Sequence, residues 1–251
     1  MCTLKSPSSC HGTYQYMVKK EGAANPFNGV NFNLQLSHQT SGEGIAPRAV
    51  DINNDGLMDI FVGMGSGQIE YWKNTGSTSV PSFTKQIGSN NPFNNVDIPH
   101  KSSPYHTASG RQGFATLCPV DLNGDASIDM LIGSRDYGIL YYKNTGTPTA
   151  PVFVKQTGAA NPFDTHNNIL VGGTSIVSGH GFCIPAAVDL DNDGDNDVFV
   201  WNLNKLYYFK NTGTKTNAVF ELQTGTDNPL HGHTAGAPGT IAVIDRDNDG
   251  L

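Results

Sequence analysis

A phrase of constant length recurs along this chain, and that constancy limits the fold more than any single residue does. Acidic segments begin at Asp51, Asp121, Asp189 and Asp245, and the first three are followed by an Asn-Pro step at Asn91, Asn161 and Asn228. From the first Asp to that Asn the chain runs 40, 40 and 39 residues. From each such Asn, starting with Asn25, to the next acidic segment it runs 26, 30, 28 and 17 residues. A rigid unit of fixed length alternates with a connection of free length, which is the signature of a repeat array. Lys73-Asn-Thr-Gly76, Lys143-Asn-Thr-Gly146 and Lys210-Asn-Thr-Gly213 mark one phase inside each unit.

The acidic segments carry chemistry. Asp51-Ile-Asn-Asn-Asp-Gly-Leu-Met-Asp59, Asp121-Leu-Asn-Gly-Asp-Ala-Ser-Ile-Asp129 and Asp189-Leu-Asp-Asn-Asp-Gly-Asp-Asn-Asp197 place oxygen-bearing side chains at loop positions 1, 3, 5 and 9. A fourth copy, from Asp245 to Leu251, ends with the chain. Alternate residues of a tight loop converge on one point, and the position-7 carbonyl comes into range once position 6 turns with φ > 0. A bidentate ninth Asp and a water complete about seven oxygens, which suits calcium better than magnesium. Cys and His, which softer metals prefer, are missing from the loops. Carboxylates about 4 Å apart repel by roughly 1 to 4 kcal/mol per pair, so cation binding is expected to add to stability. An EF-hand is excluded, because position 12 is Val62, Ile132 and Val200 rather than Glu.

The residues around the loops read as short strands separated by turn signals. Four are expected per unit. The first precedes the loop (46–50, 115–120, 184–188, 240–244) and the second follows it (58–63, 130–133, 198–201). The third leads into the Asn-Thr-Gly turn (69–72, 139–142, 206–209), and the fourth comes after it (82–87, 152–157, 219–223). Tyr71-Trp72, Tyr141-Tyr142 and Tyr207-Tyr208 read as packing between units. The expected fold class is all-β: a β-propeller of four-stranded antiparallel blades. The chain reads as an incomplete arc with blade cores at 46–93, 114–163 and 182–230, partial blades at 14–27 and 240–251, and an irregular segment at 1–13. It is expected to be a piece of a longer propeller.

Composition narrows the function classes. Gly 29 and Pro 14 with only 15% charged residues fit many turns and few helices. Fourteen of the aspartates lie in the four acidic segments although the whole chain carries only −7, so the rest is mildly basic. The acidity belongs to the loops. Basic residues form no cluster of the kind nucleic acid needs, and no 18-residue apolar run spans a membrane. Residues 1–10 contain no apolar signal-peptide core. Cys2 and Cys10 could close a small loop, whereas Cys118 and Cys183 read as unpaired buried residues.

These motifs together resemble the FG-GAP/VCBS repeats, the calcium-binding β-propeller repeats related to the integrin α-chain head, across roughly residues 14–251. The resemblance implies one site from Asp51, Asn53, Asp55, Asp59 and the Leu57 carbonyl. A second comprises Asp121, Asn123, Asp125, Asp129 and the Ser127 carbonyl, and a third Asp189, Asp191, Asp193, Asp197 and the Asp195 carbonyl. Asp245, Asp247 and Asp249 begin a fourth. Ala126 departs from the glycine at position 6, so the second site is expected to be strained and weakest. Replacing Asp197 is expected to cost more than replacing Asp129.

The resemblance also implies that ligands meet the edge opposite the acidic loops, formed by the variable connections and the turns at 63–68, 133–138 and 201–205. Candidate ligand residues there are His106, Arg111, Arg135, Asp136, Tyr137, His180 and Trp201, a polar and aromatic set suited to a glycan or a protein loop. The expected function is a calcium-stabilised binding or adhesion module, extracellular or at the cell surface, where calcium fills even weak sites. The alternative is a carbohydrate-active enzyme, a polysaccharide lyase or glycosidase, on the same scaffold. No catalytic carboxylate pair or nucleophile motif is recognisable in the sequence to support it.

Overall fold

The structure is a computed structural model. It describes residues 19–28, 45–96, 98, 114–135, 137–164, 170–171, 174–175, 183–202, 205–233, 241 and 243. These residues are all-β, built on three four-stranded antiparallel sheets. The first contains β1 (Ile45–Val50), β2 (Asp59–Met64), β3 (Ile69–Asn74) and β4 (Phe83–Gln86). The second contains β5 (Thr116–Val120), β6 (Asp129–Ser134), β7 (Gly138–Asn144) and β8 (Phe153–Lys155). After it comes a two-residue pair, β9 (Leu170–Val171) with β10 (Thr174–Ser175), which the sequence reading did not foresee. The third sheet contains β11 (Ile184–Val188), β12 (Asp197–Asn202), β13 (Lys205–Asn211) and β14 (Phe220–Gln223). Strands pair in chain order within each sheet.

Strand existence and order match the expectation in these three units, and the ends differ for a local reason. The fourth strands begin one residue late because the carbonyls of Ser82, Val152 and Val219 accept the N–H of Thr75, Thr145 and Thr212, which draws them into the turn. The third strands run on to Asn74, Asn144 and Asn211, which pair with Phe83, Phe153 and Phe220. Of the expected strand at 240–244 and the leading segment at 14–27, most of the first and the start of the second lie outside the described residues.

Side chains alternate across each strand, so every sheet offers two apolar faces. One cluster joins Phe61, Ile69, Tyr71 and Phe93 of the first unit to Leu117, Met130, Ile132 and Leu140 of the second. Another joins Cys118, Leu131, Tyr141 and Phe163 of the second to Val198, Val200, Phe209 and Phe220 of the third. Phe61, Phe93, Phe163 and Phe209 are fully buried, each contributing about 1.5–3 kcal/mol by leaving water.

The Asn-Pro-Phe phrase locks these seams. Phe93 stacks on Phe153 at 4.3 Å and Phe163 on Phe220 at 4.4 Å, so the first and second units each end by laying a ring on the fourth strand of the next. Phe27 stacks on Phe83 in the same way at 4.8 Å. The Asn of each phrase fixes the bend: Asn91 and Asn161, ahead of their rings, and Asn228, ahead of Leu230, donate from Nδ2 to the carbonyls of Ile69, Ile139 and Leu206.

Two glycines set how closely the sheets approach. A Cβ on Gly63 would lie 1.9 Å from the Ala115 carbonyl oxygen, and one on Gly133 would lie 1.9 Å from that of Cys183. The residue that leads into the next sheet's first strand therefore rests on bare backbone. Thr116 Oγ1 donates to the Cys183 carbonyl at 2.5 Å across the second seam. In the third sheet Trp201 stands at the position of Gly63 and Gly133. Cys118 and Cys183 are free and buried as expected, and burial pushes their thiols up to about 11 and about 12. Among the described residues, no helix is long and apolar enough to cross a membrane.

Candidate metal centre

The acidic loops join β1 to β2, β5 to β6 and β11 to β12, and the Asn-Thr-Gly turns join third to fourth strands. Antiparallel order brings loop and turn to one edge of each sheet. Within each loop the first Asp organises the backbone. Asp51 accepts the N–H groups of Asp55 and Gly56, and Asp189 those of Asp193 and Gly194. Asp121 accepts from Gly124, Asp125 and Ala126. The fifth residue then accepts from the seventh: Leu57 to Asp55, Ser127 to Asp125 and Asp195 to Asp193.

Each of the three described loops turns through the left-handed region at positions 4 and 6. The pairs are Asn54 and Gly56 (φ 53 and 80), Gly124 and Ala126 (69 and 65), and Asn192 and Gly194 (58 and 93). The strain expected at Ala126 is therefore present, because a Cβ is disfavoured there. Position 4 was not singled out from sequence, although Asn and Gly, the residues that tolerate this region, occupy it each time.

The ninth aspartates are buried in the sheet: Asp59 and Asp129 are 0% exposed and Asp197 is 1% exposed. Both oxygens of each are engaged by protein. Tyr71, Tyr141 and Tyr208 donate their hydroxyls to Oδ2 at 2.7, 2.7 and 2.6 Å. The backbone N–H groups of Asn74, Asn144 and Asn211 donate to Oδ1 at 2.7, 2.8 and 2.7 Å. Asn53 and Asn123 add a side-chain amide to Asp59 and Asp129 at 3.3 and 2.8 Å. Burial raises all three carboxyls above their ordinary range, against the pull of these donors. Burial first, then the adjoining carboxylate, raises the three tyrosine hydroxyls. The ninth residue thus anchors the loop to the Asn-Thr-Gly turn. The signal was in the sequence: Tyr71, Tyr141 and Tyr208 follow their Asp at near-constant spacing, but they read only as packing residues.

The third loop differs in charge. Carboxylate oxygens of Asp189, Asp191 and Asp193 lie within 4.8 Å of one another, Asp189 half-buried and the other two exposed. Their chemistry fits a hard cation. Asp195 adds a side chain only 7% exposed, whose Oδ1 has no hydrogen-bond partner among the described residues. Its carboxyl is raised by burial and then by Asp193, Asp197, Asp189 and Asp191. Lys210 bonds Asp191 at 2.5 Å and holds that carboxyl below its usual range. In the first two loops Asn53 and Asn123 stand at position 3, and no three acidic side chains converge there. Asp245, Asp247 and Asp249 lie outside the described residues.

At the opposite edge, Arg135 and Tyr137 sit partly exposed in the β6–β7 turn, the guanidinium 5.9 Å from the Phe114 ring centre. Trp201 is 4% exposed, and its indole N–H has no hydrogen-bond partner among the described residues. It is a wall of the sheet rather than an open platform. His106, Arg111, Asp136 and His180 lie outside the described residues. Compared with known proteins, the chain matches no family model and no curated protein sequence.

Proposed function

We propose that the chain is a calcium-stabilised β-propeller module of the FG-GAP/VCBS kind, extracellular or at the cell surface, which binds a glycan or protein ligand. The observation that carries this reading is the convergence of Asp189, Asp191 and Asp193 within 4.8 Å, in a loop whose backbone is repeated twice more at the same sheet edge. Stacked sheets joined by repeated aromatic seams support the propeller arrangement. Asp189, Asp191 and Asp193 would hold the cation in the third loop, while Asp197 keeps the loop fixed to the sheet. The cation supplies the counter-charge that crowded carboxylates lack. Millimolar calcium outside cells suits exposed sites of this kind.

The ligand belongs to the edge opposite the loops, where Arg135 and Tyr137 are partly exposed. Calcium titration followed by melting tests the first half: the chain should melt higher with calcium than with chelator. An unchanged melting temperature at about 10 mM calcium, well above the weakest extracellular sites, removes it. A glycan array probed with the calcium-loaded chain tests the second half, with Arg135→Ala as the variant expected to lose signal.

A further inference from the structure

A lysine stands over each of the three described acidic loops, placed by the strand that ends at the Asn-Thr-Gly turn. Lys73 Nζ lies 3.4 Å from Asp55, Lys143 Nζ 3.9 Å from Asp125 and Lys210 Nζ 2.5 Å from Asp191. These are not chance surface pairs. Each lysine lies in a strand with fixed register, opposite Thr84, Val154 and Glu221. The residue after each lysine bonds the buried ninth Asp through its backbone N–H. All three lysine side chains have the same exposure, 39%. Three copies of one placement mark a feature of the unit.

We propose that these lysines are built-in competitors of the cation, setting how tightly each loop holds it. The inference rests on the calcium reading above. An ammonium only donates, so it cannot join a cation's coordination shell. It can only share carboxylates with the cation and repel it, more strongly the closer it sits. With the cation absent, the same lysine supplies part of the missing counter-charge. The residue at position 3 decides where it lands. Asn53 and Asn123 turn their amides to the ninth Asp, and Lys73 and Lys143 fall on position 5. Asp191 has no amide to give, and Lys210 closes on it directly. The third loop thus pairs the densest carboxylate cluster with the nearest competitor, which lowers the affinity that cluster would otherwise have.

The test uses the full chain, chelator-treated, with calcium alone as probe, by calorimetry at low salt and by chemical unfolding without metal. Lys210→Met should tighten calcium binding about tenfold, with smaller gains for Lys73→Met and least for Lys143→Met, following the distances. The metal-free Lys210→Met chain should unfold at lower denaturant than wild type. These opposite signs distinguish a competitor from a structural lysine, whose loss weakens both. Lys210→Gln provides the same readings if the Met variant folds poorly. Lys155→Met, on exposed β8, is the control for net charge. Unchanged or weaker binding by both Lys210 variants overturns the proposal and leaves the calcium reading standing. Equal tightening by Lys155→Met overturns it too. A wild-type chain that binds no calcium removes the calcium reading and this inference together.

Discussion

The second and third acidic loops follow the same backbone path with different charges. Both turn through the left-handed region at positions 4 and 6, and in both the first Asp gathers the N–H groups of positions 5 and 6. They even touch, Asn196 Nδ2 donating to the Asp121 carbonyl at 3.3 Å. Yet one carries three aspartates and the other five. The difference shows that loop shape and loop electrostatics are separately encoded. Position 1 and the two left-handed residues set the path, whereas positions 3 and 7 set the charge. Asn123 spends its amide on Asp129, and Asp191 turns to Lys210 instead.

The largest test of that comparison is to remove each ninth Asp without metal. Asp129→Ala orphans three donors, two of them buried, and should cost about 3–5 kcal/mol, while Asp197→Ala orphans two and should cost about 2–4 kcal/mol. This order, read by urea unfolding in chelator, reverses the expectation from sequence, which weighed cation binding alone. Should Asp197 prove costlier without metal, donor counting is the wrong measure. Removing one hydroxyl sharpens the point. Tyr208→Phe leaves Asp197 a single donor and should cost about 2 kcal/mol, against about 1 kcal/mol for Tyr141→Phe, whose Asp keeps two.

The shape half of the comparison is probed by exchanging position 6. Ala126→Gly should stabilise the chain by about 1 kcal/mol, and Gly194→Ala should destabilise it by a similar amount. A methyl on Gly194 would meet nothing within 4 Å, so backbone strain is the whole cost. Equal melting temperatures for all three chains would show that the left-handed turn is free to relax.

The smallest effect concerns position 7. The Asp195 carboxyl is raised in the folded chain, so its stabilising share is present below the ordinary value near 3.8 and fades as pH rises through the raised value. Metal-free Asp195→Asn should therefore match wild type near pH 4 and melt about 2 °C higher at pH 7. A gain of the same size at both pH values would point to packing rather than charge.

Much of this was legible beforehand. Fixed spacing gave the three sheets, because a unit of constant length with four short apolar runs has few ways to bury them. The first Asp and the position-6 turn were legible because their residue types admit little else. Burial hid the rest. Asp59, Asp129 and Asp197 read as bidentate cation ligands, and only their placement inside the sheet reveals the tyrosine and Asn-Thr-Gly partners. The Asn of Asn-Pro-Phe served only to mark where each unit ends, yet Asn91 also reaches a carbonyl 22 residues earlier, at Ile69. Long-range pairing of that kind leaves no local trace.

Trp201 stands where Gly63 and Gly133 let a neighbour's backbone settle at contact distance. An indole in that place rules out the same embrace. Whatever lies against the far side of the third sheet must keep its distance or arrive at another angle. The geometry that makes two joints interchangeable therefore stops there. A chain spliced to carry extra copies of the middle unit should accept them before this residue and resist them after it.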